Sequence, residues 1–349
     1  MNFIMSIKLY FLSLMQDKRN NLFDRVVKAV LFVGSRGYGC AVNLVDMAYR
    51  VGLRKIHKAK LPVISVGNIT LGGTGKTPFA MFLADHFSHG KKKASILIRG
   101  YGKDESVQLK EELADVPVYV GQDRVKNAAL SASEGNEFII LDDGFQHRRL
   151  GRDLDIVLID SEHPFGNGQL VPRGVLREPV SSLIRAGIVV ATKIDKLTPG
   201  EEVELEGLVK SIAPKADFIT ARHRPLFFTD VTGAAYSVED VRGKKVCMVS
   251  GIGDPEYFRT VLDAADPVIT EEMIYPDHHN FRQVDVGKIF STSTKSSTEY
   301  VVTTKKDYVK LKELDISLIE EKIMVLNIAM DVVKGKEKLI AGLNSVIFC

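Results

Sequence analysis

The sequence contains few cysteines, and its N-terminal apolar run is too short to cross a bilayer. The three cysteines, Cys40, Cys247 and Cys349, are far apart, so neither a disulfide framework nor a metal-ligand spacing follows from them, and a reducing compartment is indicated. The nearly continuous apolar run 3–15 would span only about 20 Å as a helix, against about 30 Å for a bilayer core. Lys8 interrupts this run and no A-x-A pattern follows it, which argues against a signal peptide.

The composition is that of an ordinary globular protein, but the charge is unevenly distributed. With 349 residues, 45% hydrophobic and 26% charged, the chain can form a packed core in two modest domains or one large α/β domain. Residues 1–60 carry 11 Lys or Arg and three Asp, a local charge of +8, whereas the remainder carries 36 Lys or Arg and 41 Asp or Glu, a local charge of −5. A basic arm on an acidic body predicts an anionic partner, and charge alone leaves nucleic acid and anionic lipid open.

Apolar spacing in the arm favours lipid over nucleic acid. Apolar residues recur there at helical spacing, with Asp24, Arg25 and Lys28 between them, a pattern typical of a helix that lies in a membrane interface. The apolar positions are Leu22, Phe23, Val26, Val27, Val30 and Leu31. Each cation near an anionic leaflet adds about 1 kcal/mol to the free energy of membrane binding. We therefore expect a membrane-associating arm over residues 1–60 and no nucleic-acid partner; two helices packed on the protein body are the alternative.

Short apolar runs alternate with helical stretches after residue 62. Several runs are continuous rather than alternating, as expected of strands that are buried on both faces of a parallel sheet. The predicted strands are Val63–Val66, Ser95–Ile98, Phe138–Leu141, Ile156–Ile159, Ile188–Ala191 and Phe218–Thr220. This pattern predicts a doubly wound, mostly parallel α/β sheet, whose ligands bind at the carboxyl ends of the strands.

A second set of strands follows a His-Arg-Pro segment near residue 225. These strands are predicted at Val246–Ser250, Tyr300–Thr303 and Met324–Ile328. We therefore expect a core domain over residues 61–224 and a smaller α/β domain over residues 225–330. The C-terminal segment 331–349 is expected to be helical and to pack back on the core domain.

The stretch Thr70-Leu-Gly-Gly-Thr-Gly-Lys-Thr77 directly follows the first predicted strand. It matches the phosphate-binding pattern G-x-x-x-x-G-K-[ST] except that Thr70 replaces the first glycine. Backbone N–H groups of such a loop surround phosphates, the lysine reaches the β- and γ-phosphates, and the final hydroxyl ligates Mg²⁺. Pro78 suits the first turn of a helix whose positive end faces the phosphates. The predicted nucleotide-binding residues are Thr70, Leu71, Gly72, Gly73, Thr74, Gly75, Lys76 and Thr77.

Two adjacent acids end the predicted strand that begins at Phe138. Asp142 and Asp143 occupy the position at which P-loop proteins hold Mg²⁺ directly or through water. Thr77, Asp142 and Asp143 are therefore the predicted metal-side residues.

Three classes of P-loop protein, those with this kind of phosphate-binding loop, are candidates for the pattern. Thr192-Lys-Ile-Asp195 resembles the guanine-reading element of GTPases, although no DxxG switch stands in the expected place. Membrane-associated partition ATPases carry a signature lysine where this chain has Leu71. A kinase needs a base for the acceptor hydroxyl; the candidates are Asp104 and His278, and a solvated loop acid and a turn histidine are the alternative interpretations.

Several segments taken together resemble one family, the tetraacyldisaccharide 4'-kinases of lipid A biosynthesis. They are Val63-Ile-Ser-Val-Gly-Asn-Ile-Thr-Leu-Gly-Gly-Thr-Gly-Lys-Thr-Pro78, Arg99-Gly-Tyr-Gly102, Leu141-Asp-Asp-Gly-Phe-Gln-His147, Arg152-Asp-Leu-Asp155, Phe165-Gly-Asn-Gly168 through Leu176-Arg-Glu-Pro179, Gly251-Ile-Gly-Asp-Pro255 and Pro276-Asp-His-His279. They occur in order over roughly residues 60–310. Thr70 also fits, because the loop of this family usually lacks that glycine.

The resemblance implies transfer of the γ-phosphate of ATP to the 4'-hydroxyl of an acylated glucosamine disaccharide 1-phosphate. It implies a place at the cytoplasmic face of the inner membrane, with Mg²⁺ and ATP required. By position, Asp104 resembles the catalytic aspartate of the family and His278 its partner. Arg177 and Glu178 resemble residues near the γ-phosphate and the metal. The segment between Gly102 and Asp104 is shorter than in the family, and the motif reads Asp104-Glu-Ser106 rather than D-E-P.

These observations favour a lipid kinase. The alternative is a membrane-recruited nucleotide switch, possibly GTP-binding, that lacks lipid kinase activity.

Overall fold

The chain divides into two compact units. The structure, a computed structural model, describes residues 10–89, 92–100 and 116–348. The first unit contains the described residues up to 100, from 116 to 222 and from 332 onward; the second contains residues 223–331. Sequence reasoning places the corresponding boundaries at 224/225 and 330/331. The predicted base, Asp104, lies outside the described residues.

The first unit is built on a parallel sheet. Its strands are β1 (Val63–Asn68), β2 (Ala94–Ile98), β3 (Val118–Val120), β4 (Phe138–Asp142), β5 (Leu154–Asp160), β6 (Ile188–Thr192) and the part of β7 (Asp217–Thr229) up to residue 222. They lie side by side in the order β7-β6-β5-β1-β4-β2-β3, and each neighbouring pair is parallel. Every residue of β1, β2, β4 and β6 is buried, which explains their continuous apolar sequences. The predicted α/β class with a mostly parallel sheet is confirmed.

The second unit has its own parallel strands. They are β9 (Lys245–Ser250), β10 (Val268–Ile274), β11 (Tyr300–Thr304) and the part of β12 (Ile323–Lys334) up to residue 331, in the order β10-β9-β11-β12. The short strand β8 (Ala235–Tyr236) pairs antiparallel with the end of β7. Sequence reasoning missed β3, β8 and β10. β3 and β10 are edge strands with partly or fully exposed residues, so neither has the apolar run that marks a central strand.

Helices connect the strands in both units. They are α1 (Leu22–Arg50), α2 (Lys76–His89), α3 (Arg124–Ser133), α4 (Pro199–Ile212), α5 (Val238–Val241), α6 (Pro255–Asp263), α7 (Gln283–Lys295), α8 (Lys305–Leu311) and α9 (Lys336–Ile347). The C-terminal helix α9 packs on the first unit, where a side chain at Gly342 would lie 3.1 Å from Ile188.

The arm contains one long helix, α1, preceded by helical residues 10–15. A capping box between Asn21 and Asp24 begins α1 and satisfies its first free N–H groups. One face packs on the first unit: the Ser35 hydroxyl donates to the Leu170 carbonyl at 2.7 Å, and the Tyr38 hydroxyl donates to the Arg177 carbonyl at 2.9 Å. The opposite face exposes apolar side chains. Within the described residues, no helix has both the length and the apolarity needed to cross a membrane.

Candidate active site

The predicted phosphate-binding loop connects β1 to α2 at the carboxyl edge of the sheet. Gly72 and Gly75 have φ angles of +116° and +79°, which a side chain would strain. A Cβ added at Gly72 or Gly73 would meet no described atom within 4 Å, so the backbone of the loop borders open space. The Leu71 amide donates to the Val175 carbonyl at 2.7 Å, which ties the loop to the segment that carries Arg177. The loop is therefore fixed at its base and accessible at its centre.

Two polar side chains form hydrogen bonds with Thr74 of the loop. The Asn68 side-chain amide donates to the Thr74 hydroxyl at 3.0 Å, and the Thr192 hydroxyl donates to the Thr74 carbonyl at 3.2 Å. Lys193, the next residue, is buried and paired with Asp160. Thr192, the first residue of the GTPase-like element, thus contributes to the support of the phosphate loop.

The structure brings the predicted metal-side residues together. The Thr77 hydroxyl donates to Asp142 Oδ2 at 3.0 Å, and Lys76 Nζ lies 3.8 Å from Asp143 Oδ1. Burial raises the pKa of Asp142 to about 6, although Lys76 and the Thr77 hydroxyl act in the opposite direction. Burial also acts to raise the pKa of Asp143, but Arg177 and Lys76 outweigh it and that pKa is lowered. The pKa values of these two adjacent carboxyl groups are therefore shifted in opposite directions.

Arg177 lies in the same site. Its guanidinium donates to both oxygens of Asp143, at 2.7 and 3.2 Å, and to the side-chain amide oxygen Oδ1 of Asn68 at 3.1 Å. This bidentate pairing fixes a planar cation beside the Lys76 ammonium. Two cations that share one carboxylate form a charge pattern that suits an anionic phosphate.

Glu178 is almost completely buried and engaged by cations. Its carboxylate accepts from Gln146 at 3.1 Å, from Arg148 at 3.3 Å and from Arg185 at 2.6 Å. Arg148 also pairs with Asp46 of α1. In this arrangement Glu178 joins the phosphate-loop region to the N-terminal helix. Its predicted role at the metal stays a prediction.

The ligand atoms available here suit Mg²⁺. The Thr77 hydroxyl and the carboxylates of Asp142 and Asp143 present oxygen atoms only, which are the ligands that Mg²⁺ prefers. Among the residues that the structure describes, no group of three or more His, Cys, Asp or Glu side chains could hold a metal ion by itself.

Sequence reasoning missed several supporting residues. Arg124, at the start of α3, is buried and donates to the carbonyls of Asp142 at 2.8 Å and Asp143 at 3.1 Å. Asn68 and Gln146 lie within the family motifs, and the Gln146 side-chain amide donates to the Asn68 backbone carbonyl at 2.9 Å. Asn68 carried a usable signal, because a polar residue ends a fully buried strand just before the loop.

The second unit separates the two neighbouring histidines by environment. His279 is largely buried, bonded to Asp285 at 3.1 Å and stacked on Tyr275 at 4.7 Å between ring centroids. His278 is exposed, has a φ of +58°, and donates its backbone N–H to the Gly251 carbonyl at 3.0 Å. Its Nε2 lies 3.8 Å from Asp277 Oδ2. His278 is therefore the accessible histidine, and its pairing with Asp104 stays a prediction.

Comparison with known proteins gives consistent matches. The family model for tetraacyldisaccharide-1-P 4'-kinase, LpxK, matches residues 27–104 and 103–347. A tetraacyldisaccharide 4'-kinase of Anaeromyxobacter dehalogenans is 32% identical over 339 residues, which cover 90% of this chain and 89% of the relative. One from Desulfatibacillum aliphaticivorans is 35% identical over 321 residues, which cover 82% of this chain and 84% of the relative.

A solved structure is similar over almost the whole chain. It is the crystal structure of LpxK from Aquifex aeolicus in complex with ATP, with a TM-score of 0.69 and 28% sequence identity. The match covers 92% of this chain and 99% of that protein.

Proposed function

The chain belongs to the tetraacyldisaccharide 4'-kinase family, and we propose that it transfers the γ-phosphate of ATP to the 4'-hydroxyl of a tetraacyldisaccharide 1-phosphate in lipid A biosynthesis. The observation that carries this proposal is the cluster of Lys76, Thr77, Asp142, Asp143 and Arg177 beside an accessible phosphate loop. The nucleotide-switch alternative is not favoured.

In the proposed reaction the loop binds the nucleotide. Backbone N–H groups at the centre of the loop, residues 72–75, face the phosphates, and Lys76 neutralises charge on the transferred group. Arg177 exchanges part of its pairing with Asp143 for a phosphate oxygen, since a guanidinium binds both anions through the same fork of N–H groups. These cations stabilise the negative charge of the transition state more than that of the ground state.

Thr77, Asp142 and Asp143 would hold Mg²⁺, with Glu178 as a further candidate. When bound, the ion neutralises charge on the phosphate oxygens. Burial of Asp142 beside Thr77 supports this assignment, because a carboxylate with a raised pKa gains most from a cation next to it.

Asp104 is the proposed base and His278 its orienting partner. Asp104 accepts the proton of the 4'-hydroxyl as that oxygen attacks the γ-phosphorus, while the bond between the γ-phosphorus and its bridging oxygen breaks and ADP leaves. The exposed position of His278 supports its role, because a buried, bonded histidine such as His279 is not available to a partner.

We further propose that the arm holds the protein at the cytoplasmic face of the inner membrane, where an acylated, phosphorylated acceptor resides. Exposed apolar side chains on α1 support this association. Among them are Leu22, Val30, Val33, Leu44 and Met47. The charge of +8 on residues 1–60 adds attraction to anionic lipid.

The direct test incubates the purified chain with ATP, Mg²⁺ and the disaccharide monophosphate in detergent. We expect the 1,4'-bisphosphate as product, detected by mass spectrometry, and no comparable turnover with GTP. A related family enzyme in the same detergent serves as the positive control. No bisphosphate from this chain, while the control is active, would refute the proposed function.

A variant tests the proposed base. Asp104→Ala should lower kcat by at least about 100-fold, because loss of a general base typically costs that much. Its Kd for ATP should change little, since the nucleotide is bound by the loop. Unchanged kcat would exclude Asp104 as the base. Loss of ATP binding would point to a structural role instead.

A further inference from the structure

A basic groove with a volume of about 480 Å³ lies away from the phosphate loop, in the first unit. We define the basic groove by Lys55, Lys58 and Lys60 on one wall and Ala129 and Ala132 of α3 on the other. The lysine segment enters β1 at its amino end, whereas the phosphate loop leaves β1 at its carboxyl end. A strand of six residues separates them, which corresponds to about 20 Å.

The ionisable side chains that line the groove are all basic. Its lining includes Lys55, Lys58, Lys60 and His57 but no aspartate or glutamate. None of the three lysines forms an ion pair with another described residue, in contrast to Lys28 and Lys92, which pair with acids. Three uncompensated ammonium groups at one groove favour an anionic ligand.

The backbone of the lysine segment is fixed. The His57 amide donates to the Arg149 carbonyl at 2.8 Å, and the Gly151 amide donates to the His57 carbonyl at 2.9 Å. Small side chains on α3 leave depth between that helix and the segment. The groove is therefore a formed feature of the surface, lined by exposed lysines and by apolar side chains of α3.

Apolar side chains beside the lysines favour a lipid as the source of the anion. Val51, Leu53 and Ile56 are 58%, 81% and 50% exposed, and Arg54 and Lys55 lie between Leu53 and Ile56 in the chain. They continue from Met47, which is 58% exposed on α1. Exposed apolar side chains interspersed with cationic ones are typical of a surface that enters the headgroup region of a membrane.

We propose that the basic groove binds the headgroup of an anionic phospholipid, a lipid distinct from the acceptor. The three ammonium groups contact its phosphate, and the groove floor receives the apolar glycerol and upper acyl carbons. The inference rests on the proposed membrane association, to which it adds a discrete site at the end of α1 remote from the nucleotide.

The test measures binding of the full chain to vesicles by flotation. One set contains phosphatidylcholine alone, and the other contains about one third phosphatidylglycerol to provide anionic headgroups. The charge variant is Lys55→Gln/Lys58→Gln/Lys60→Gln. The filling variant is Ala129→Leu/Ala132→Leu, which occupies the groove without changing the charge. A matched control, Lys215→Gln/Lys288→Gln/Lys295→Gln, removes three exposed cations elsewhere.

We expect the charge variant to lose affinity for the anionic vesicles by about fivefold per lysine, because each cation near an anionic surface contributes about 1 kcal/mol. The filling variant should lose affinity for the same vesicles by about tenfold or more. Binding to phosphatidylcholine alone should not change for either, and the control should lose less than about twofold.

Two results would overturn the proposal. Wild-type binding by the filling variant would reduce the site to a general charge effect, and an equal loss in the charge and control variants would do the same. Thermal unfolding of each variant verifies that it is folded. Kinase turnover on detergent-solubilised acceptor separates the two proposals. Absence of turnover by the wild-type chain refutes the proposed function. The vesicle measurements test the groove whatever the turnover is.

Discussion

At the scale of single residues, the site depends on how its charges are buried. Asp142 and Asp143 are adjacent, yet burial raises the pKa of the first to about 6 while Arg177 and Lys76 overcome burial and lower the pKa of the second. Asp143 is therefore the carboxylate that stays ionised and orients Arg177 and Lys76. Asp142 is the carboxyl group that a bound cation would stabilise most.

Replacement of Asp142 tests this division of roles. Asp142→Asn retains an oxygen that can accept from Thr77 but removes the negative charge. We expect kcat to fall about 100-fold or more, with a higher Mg²⁺ concentration needed for half-maximal activity. A titration of activity with Mg²⁺ measures both quantities. Glu204→Gln, an exposed change on α4, is the control; wild-type Mg²⁺ dependence in Asp142→Asn would contradict the assignment.

His147 offers a pH-dependent prediction beside the same site. Burial, followed by the charges of Arg124 and Arg152, lowers its pKa to about 4 from an ordinary value of 6.5. Between pH 6.5 and pH 4 the unfolded chain binds a proton at His147 that the folded chain does not bind. The free energy of unfolding therefore loses nothing to this group above pH 6.5 and decreases as the pH falls towards 4.

The measurement is urea unfolding of the wild type and His147→Gln across this pH range. Because the imidazole is partly exposed, we expect the wild type to lose on the order of 1–2 kcal/mol more than the variant between neutral pH and pH 4.5. Other acids titrate in both proteins, so the difference isolates His147. Parallel stability curves would show that His147 is protonated equally in the folded and unfolded states.

At the scale of elements, the sequence predicts those strands and loops whose residues form a local pattern. Buried strands such as β1 and β4 have continuous apolar runs, and the loop between β1 and α2 has its own glycine and lysine spacing. Edge strand β10 has no such pattern, because two of its glutamates are partly or fully exposed. Arg124 reaches the site from another helix, and no local spacing encodes that contact.

Close approach between β1 and the turn after β4 gives an element-scale prediction. A Cβ at Gly67 would lie 2.8 Å from the Phe145 backbone nitrogen and 2.6 Å from its Cβ. Gly67→Ala must therefore displace the backbone that carries Asp142 and Asp143. We expect a loss of about 3 kcal/mol or more in the free energy of unfolding, measured in urea, together with weaker ATP binding.

The matched control is another glycine-to-alanine change in the first unit. Gly37 lies within α1, and a Cβ there would meet no atom within 4 Å. Gly37→Ala should raise stability by up to about 1 kcal/mol through helix propensity. Equal effects of the two substitutions would show that the contact with Phe145 does not limit side-chain size at Gly67.

At the scale of the whole molecule, charge and apolar exposure coincide in the first 60 residues. The uneven charge is readable from composition, but the exposed face of α1 is not, because helical spacing does not reveal which stripe packs on the protein. Ser35 and Tyr38 define the packed face through Leu170 and Arg177. Val33 and Leu44 are 70% and 65% exposed, so the described part of the chain leaves them to water.

Salt separates the two contributions to membrane association. High salt screens the cations of the arm and leaves apolar insertion as the remaining attraction. Val33→Gln/Leu44→Gln should therefore lower vesicle binding at high salt by about 100-fold, since burial of each side chain is worth about 1.5 kcal/mol or more. Ile184→Gln/Val203→Gln is the control, because these side chains are 64% and 66% exposed outside α1. If both double variants bind vesicles equally well, the exposed face of α1 does not contact lipid, and the charge of the arm is what remains to attract the protein to its substrate.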